Sequence, residues 1–282
     1  MNNPPYKQEG NYREFYESVG KLYPEEDVVY CTLRGLLRRK FVNAFLEKSN
    51  GLFLDLGCNR GYYIANYKNG KAVGIDIAFS VLKIAKIRIP EACFVQGDAQ
   101  NLSFLRSNSI NFILCSEIIE HVPNSQLVLN ECFRILKPGR NLLVTTPNYK
   151  KHRPSWVKVG AMKKYGVQGV DKERYFHTAF RPEELKTMAL NAGFRLLEYG
   201  TLEKEVKYAT RIPVLFYHVI RLINRFALQS EKVHCINEKF LERSSLLIYK
   251  VCIALGLNTI LSNLVREGVR TYIVVQKPDL RC

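Results

Sequence analysis

Three carboxylates define the chemistry open to this sequence. Asp55 falls near the end of the apolar run Leu52-Phe53-Leu54-Asp55-Leu56-Gly57, Asp76 closes Ala72-Val73-Gly74-Ile75, and Asp98 follows Cys93-Phe94-Val95-Gln96-Gly97. Each run reads as a short buried strand, and helix-like segments separate them. Strands alternating with helices at this pitch imply crossover units and a mostly parallel sheet. Ligands of such sheets bind beyond the carboxyl ends of the strands, where these three acids stand. Asp55 leads into the turn Gly57-Cys58-Asn59-Arg60-Gly61. Its glycines permit close backbone approach and positive φ, and Asn59 is among the few other residues that tolerate the left-handed region. A carboxylate placed like Asp76 suits both hydroxyls of a ribose, and one placed like Asp98 can face the amino group of an adenine. Helix capping alone does not require an acid at each of these strand ends.

The elements that must hold these residues are readable from periodicity. Phe15, Val19 and Leu22, then Leu33, Leu36, Leu37, Phe41 and Phe45, predict two helices between Tyr12 and Leu46, separated by Pro24. Further strands are expected at Ile110 to Cys115, Asn141 to Thr145, Phe194 to Tyr199 and Thr271 to Val275. Helices are expected from Phe79 to Arg88, from about Ser125 to Leu136, and from Arg181-Pro182 to Asn191-Ala192-Gly193, with a turn at Lys137-Pro138-Gly139. Residues 148–175 read as a polar, basic connection holding Trp156. The long segment before the last strand reads as helical, with one helix from Ile212 to Leu228 and a second from about Leu246 to Val265, interrupted at Gly256.

Composition narrows the class. With 47% apolar and 24% charged residues in 282, the chain is an ordinary globular protein, neither collagenous nor a coiled coil. Its eight cysteines form no C-x-x-C pair and none is spaced with histidine as a zinc motif requires, so no metal site is expected and a reducing cytoplasm is the simplest compartment. The first twenty residues lack the apolar core of a signal peptide. The longest charge-free apolar stretch, Val251 to Val265, falls short of the roughly 20 residues of a spanning helix. The net charge of +16 is uneven: residues 151–250 hold 19 Lys and Arg against 10 Asp and Glu, whereas residues 1–150 hold 19 against 14. Such a surplus suits nucleic acid, an anionic membrane surface or an acidic substrate.

The run FLDLGCNRGYY resembles the first motif, D-x-G-x-G-x-G, of class I S-adenosylmethionine-dependent methyltransferases, in a form like the type 11 group. GIDIAFSVL, GDAQNL, FILCSEIIEHV and LKPGRNLLVTTPN resemble the later motifs in the same order. The likeness covers residues 51–147 well and extends through HTAFRPEELKTMALNAGF to about residue 199. It implies S-adenosyl-L-methionine as cofactor and an α/β, Rossmann-like sheet of seven mostly parallel strands with the last antiparallel, and helices on both faces. The expected organisation is an N-terminal helical cover (1–48), a cofactor-binding core (49–200), a helical insert (201–268) and a final strand with tail (269–282). By the same resemblance Asp55, Gly57, Cys58, Asn59 and Gly61 form the loop, Asp76 and Ile77 meet the ribose, Asp98 and Ala99 lie against the adenine, and Ser116 and Glu117 line the floor. Asn59 departs from the motif, replacing its central glycine. A nicotinamide enzyme would need G-x-G-x-x-G, but residues 57, 59 and 62 are Gly, Asn and Tyr.

Methyl transfer needs a base only where the acceptor carries a proton. His121 and His177 are the candidate bases, and a backbone-bonded helix-start histidine is the blander reading of His121. The Asn/Asp-Pro-Pro-Tyr/Phe motif of amine methyltransferases is absent, since Cys115-Ser116-Glu117-Ile118 stands in its place. The expected acceptor is therefore small or lipid-linked, met by an apolar, basic-rimmed insert. That insert acts either as a lid over the core or as an element lying on an anionic membrane surface. RNA or a protein side chain is the alternative acceptor, and a non-catalytic scaffold the alternative role.

Overall fold

The computed structural model describes residues 9–22, 29–148, 156–158, 174–176 and 178–279. The chain divides into two compact units. One takes in Met1–Pro24, Val42–Gly200 and Arg270–Cys282, and the other Glu25–Phe41 and Thr201–Val269. Residues 25–41 thus group with the late helices rather than with the rest of the N-terminal segment.

In chain order the elements are α1 (Glu9–Leu22), α2 (Leu33–Lys48), β1 (Phe53–Leu56), α3 (Tyr62–Asn66), β2 (Ala72–Asp76), α4 (Phe79–Arg88), β3 (Cys93–Gln96), β4 (Ile110–Ser116), α5 (Ser125–Ile135) and β5 (Leu136–Pro147). A short ribbon, β6 (Trp156–Lys158) and β7 (Arg174–Phe176), precedes α6 (Pro182–Asn191) and β8 (Arg195–Leu202). The helices α7 (Lys204–Ala209), α8 (Arg211–Ile223), α9 (Glu231–Ala254) and α10 (Asn258–Leu264) follow, with a π turn at Asn224–Leu228, and β9 (Arg270–Gln276) returns to the sheet.

The sheet has seven strands in the order β3-β2-β1-β4-β5-β9-β8. Strands β3, β2, β1, β4 and β5 pair in parallel, and β9 runs antiparallel to β5 from Asn141↔Gln276 to Pro147↔Arg270. This is the Rossmann-like arrangement that the sequence implied. Strand order reverses between β1 and β4, so Leu56 and Ser116 end their strands at the crevice where doubly wound sheets bind ligands. All four residues of β1 are buried, which explains its unbroken apolar reading around a single acid. Its Leu54 and Leu56 join Ile75, Ile113, Cys115, Leu142, Val144, Ile273 and Val275 in one core.

Three sequence readings are corrected. Lys137-Pro138-Gly139 lies inside β5 rather than ahead of it: β5 starts at Leu136, directly after α5, and its register with β4 breaks until Asn141, so these residues, with Gly139 at φ 71, form a bulge within the strand. The connection at 148–175 contains the antiparallel pairing of β6 with β7. The second insert helix begins at Glu231, not near Leu246, capped by the Ser230 hydroxyl, which accepts from the Val233 amide at 3.4 Å. Gly256, at φ 69, does separate α9 from α10.

The helical unit has a small core of Leu33, Val206, Ala209 and Tyr249. Among the described residues no single helix is long and apolar enough to cross a membrane; α9 and α10 meet that test only together, bent by 117°.

Helix α5 fixes the loop that carries Asp98. Glu131 Oε2 accepts from the Leu102 amide at 2.6 Å, while Arg134 donates to the carbonyls of Leu102 at 2.7 Å and Leu105 at 2.8 Å. Arg134 also grips Glu131 with Nε at 2.8 Å and Nη2 at 2.9 Å, the forked geometry that favours arginine over lysine. The guanidinium bond and the Leu102 amide outweigh burial and hold the Glu131 carboxyl below its ordinary 4.5. Its stabilising share is therefore present above pH 4.5 and is lost as pH falls through the lower folded value. Arg134→Ala is expected to cost about 2 kcal/mol, since it removes the charged donor that the two carbonyls and the carboxylate share. Denaturant melts at pH 7 would show this, and an unchanged midpoint would refute the clamp.

Candidate cofactor site

The turn after β1 is built by backbone bonds. Gly57 N and Cys58 N both donate to the Ile75 carbonyl, at 2.7 and 3.0 Å, and Gly61 N donates to Cys58 O at 2.9 Å. Gly57, Asn59 and Gly61 have φ of 76, 48 and 80, so Asn59 does stand in the left-handed region. At Gly57 a glycine is required for space as well, because a Cβ there would lie 1.9 Å from Ile118 Cδ1. That contact presses the segment after β4 against the turn after β1, on both sides of the crevice.

Asp76 locks this turn to the next strand. Its Oδ2 accepts from Asn59 N and its Oδ1 from Ala78 N, each at 2.9 Å. Two acceptor directions per oxygen mean that these bonds orient the carboxylate without exhausting its capacity. Gly97 N donates to Asp76 O at 3.0 Å and Gln96 Nε2 to Ile77 O at 2.9 Å, which ties the ends of β2 and β3 together. Asp98 accepts from its own loop, through Gln100 N at 2.9 Å and Gln100 Nε2 at 3.2 Å, and Ala99 beside it is buried. Gln100 in turn accepts from Asn124 N at 2.9 Å, joining the Asp98 loop to the start of α5.

Asp55 is sealed in the protein at 2% exposure, and its Oδ2 has no hydrogen-bond partner among the described residues. Burial, then the nearby Asp76 charge, push its carboxyl up to about 8. Burial raises the Cys58 thiol as well, with both acids adding to the effect, so the thiol is a neutral wall of the turn.

At the end of β4, Glu117 takes φ 61. It accepts from Thr145 Oγ1 at 3.1 Å and pairs with Arg270, the first residue of β9. Ser116 Oγ and Thr145 Oγ1 share a hydrogen bond of 2.8 Å. The Arg270 and Thr145 partners have no local sequence signal, since each lies on a different strand far along the chain. His121 lies just beyond, its Nε2 3.8 Å from Oε1 of the buried Glu120 and its ring edge-on to Tyr16 of α1 at 5.7 Å. Glu120 accepts from Thr146 Oγ1 at 3.1 Å. The His121 amide donates to Ile118 O at 2.9 Å in a turn that lies ahead of α5 and its cap Asn124, so the residue does not start that helix. His177 lies outside the described residues. Among the described residues no group of three or more His, Cys, Asp or Glu could hold a metal ion.

The donor set fits S-adenosylmethionine. Asp76 would hold the ribose diol, and the cofactor's ammonium group would supply the donor that Asp55 Oδ2 lacks among the described residues. When bound, the cofactor supplies a methyl group on an electrophilic sulfonium.

The comparisons with known proteins agree. The family model for the methyltransferase domain matches residues 54–144. The ubiquinone biosynthesis O-methyltransferase of Coxiella burnetii is 28% identical over 213 residues, covering 72% of this chain and 88% of the relative. Its counterpart in Xanthomonas axonopodis pv. citri is 29% identical over 168 residues, 57% of this chain and 69% of the relative. An S-adenosylmethionine-dependent methyltransferase structure from Mesorhizobium loti superposes with a TM-score of 0.52 at 14% identity, over 84% of this chain and 96% of the other, and so shares the fold. Residues 54–144 thus carry a methyltransferase domain, and the chain is an S-adenosylmethionine-dependent methyltransferase.

Two outcomes follow from this geometry. Asp76→Asn keeps an acceptor for the turn but loses the anionic grip on the ribose, and is expected to weaken cofactor binding at least about tenfold, given about 1.5–3 kcal/mol for a hydrogen bond to a charged group. Calorimetric titration reads it, with circular dichroism to show an intact fold. The second concerns Asp55, whose folded value near 8 exceeds its ordinary 3.8. The folded chain then binds the proton more tightly, so stability falls as pH rises from about 4 to about 8, by at most about 1.4 kcal/mol per unit. Asp55→Asn should flatten that slope in cofactor-free denaturant melts between pH 5 and 8, and parallel curves would contradict the assignment.

Proposed function

We propose that this methyltransferase acts on an oxygen of a small acceptor that is apolar or carried on a lipid, such as a quinone-type phenol or a lipid-linked sugar, and that it works in the cytoplasm or at a membrane facing it. The carrying observation is the 28% identity across 88% of a relative named for O-methylation in ubiquinone biosynthesis. The site is compatible with that chemistry. The acceptor oxygen forms its bond to the methyl carbon as the sulfur–carbon bond breaks, and the leaving proton goes to a base. His121 is the described residue suited to take it, with the buried Glu120 carboxylate alongside to favour the imidazolium as it forms. His177 is the second candidate from the sequence.

Purified full-length protein incubated with methyl-labelled S-adenosylmethionine and a detergent-solubilised cell extract distinguishes the acceptors. Label is expected in the organic-soluble lipid fraction. Label confined to RNA or to protein would replace this reading with that of a polymer-modifying enzyme that uses the surplus of basic residues.

A further inference from the structure

The helical unit leaves its apolar side chains uncovered to a degree that the sheet unit does not. On α8 and its π turn, Ile212, Leu215, Phe216, Val219, Leu222 and Phe226 are all exposed, Phe226 at 76%. Their spacing of three and four places them in one stripe along the helix. The stripe is not the packed face. Pro213 is buried and Tyr217 half-buried on another side, where the Tyr217 carbonyl accepts from Asn237 Nδ2 at 2.9 Å and its hydroxyl donates to Glu238 at 2.7 Å.

Helix α9 repeats the arrangement. Asn237, Ser245, Tyr249 and Cys252 are its buried side. Ile236, Phe240, Leu247 and Val251 form an exposed stripe next to it. Beyond that stripe runs a row of Lys232, Lys239, Arg243 and Lys250, all exposed. On α8 the corresponding row is Arg211, His218, Arg221 and Arg225.

The seam contacts of Tyr217 and the short π turn, where Asn224 and Ser230 exchange hydrogen bonds of 2.9 and 3.0 Å, make α8 and α9 an antiparallel hairpin. In both helices, turning the same way from the packed side, the apolar stripe comes first and the basic row beyond it. In an antiparallel pair this order puts the two apolar stripes on one side of the seam, each with a basic row along its far edge.

We propose that this face of the α8–α9 hairpin is a docking surface for an anionic lipid bilayer, lying in the interface with its apolar stripes among the acyl chains and its basic rows at the headgroups. Charge decides the occupant. Residues 211–266 carry eight Lys and Arg against three Glu, and anionic headgroups at the edges of an apolar stripe complement that arrangement. A second copy of the same face would oppose basic rows with basic rows. An RNA would use the rows and leave the phenylalanines and leucines between them in water. The docking surface deepens the lipid-acceptor reading by giving the protein a place to meet such a molecule.

Its test needs no acceptor and no methyl transfer, so the two fail separately. Full-length protein is sedimented with vesicles of phosphatidylcholine alone and of phosphatidylcholine with phosphatidylglycerol, at low and high salt. Binding to the anionic vesicles is expected to exceed binding to the neutral ones by about tenfold or more and to weaken with salt. The double variant Phe216→Asp, Phe226→Asp should lose about tenfold or more of that binding while keeping cofactor affinity, which reports an intact fold. Lys232→Gln, Lys239→Gln, Lys250→Gln should bring binding to anionic vesicles close to the neutral level. No binding to either vesicle, equal binding to both, a phenylalanine variant that binds as well as the parent, or a dimer that this variant abolishes would each overturn the proposal.

Discussion

Asp55 is a carboxylic acid at 2% exposure with the Asp76 charge nearby and an Oδ2 that has no hydrogen-bond partner among the described residues. The backbone around it is already committed. Gly57 N and Cys58 N serve Ile75 O, and Asn59 N serves Asp76, so the glycine turn folds without giving Asp55 a donor. Such a group either keeps its proton or acquires a cation. The remaining features of the site are consistent with that constraint. The turn is tight enough to need Gly57 against Ile118, and the neighbouring acid, Asp76, is oriented by the Asn59 and Ala78 amides. A buried acid that gives up its proton when a cation arrives, at the switch point of a parallel sheet, is a sound base for binding a ligand that carries both an ammonium and a sulfonium.

What the sequence disclosed and what it hid follow from distance along the chain. Asp55, Gly57, Asn59 and Asp76 were legible because strand, turn and strand end are consecutive, and each residue type answers a local backbone demand. The pairing of Arg270 with Glu117 was not, because it depends on β9 lying antiparallel to β5, which no local pattern announces. The forked pair of Glu131 and Arg134 looks like an ordinary surface i, i+3 contact, and only the structure shows that it grips the carbonyls of Leu102 and Leu105. The first half of α9 escaped for another reason: residues 231–245 place charges and few large apolar groups at helical spacing, so their helix rests on the Ser230 cap and the hairpin seam.

The two units bury apolar surface to different extents. In the sheet unit the central strands are covered on both faces, and β1, at the middle, is wholly buried. In the helical unit the core among the described residues is the small cluster of Leu33, Val206, Ala209 and Tyr249, while Leu215, Phe216, Phe226, Leu255 and Leu264 stand in solvent. An isolated exposed leucine needs no explanation, but successive ones along adjoining helices do. Polar groups hold the hairpin instead: the Tyr217–Glu238 and Asn237–Tyr217 bonds and the reciprocal pair of Asn224 and Ser230 fix its geometry without consuming the apolar stripes. A helix pair stabilised at its seam by hydrogen bonds can keep its hydrophobic side chains for another surface.

Glu117 connects these themes. A non-glycine residue at φ 61 carries strain of about 1–2 kcal/mol, and at the end of a strand that strain has an inexpensive escape in the extended conformation. The escape is closed by the amide of Glu117 donating to Thr145 O at 3.0 Å, by the Thr145 hydroxyl, and by the Arg270 guanidinium. Arg270 is the first residue after the helical unit in sequence, so the strand that ends the long excursion of residues 201–269 enters the sheet at the floor of the cofactor site. The floor is thereby braced by three strands, β4, β5 and β9, and the acid that lines it has its charge already matched.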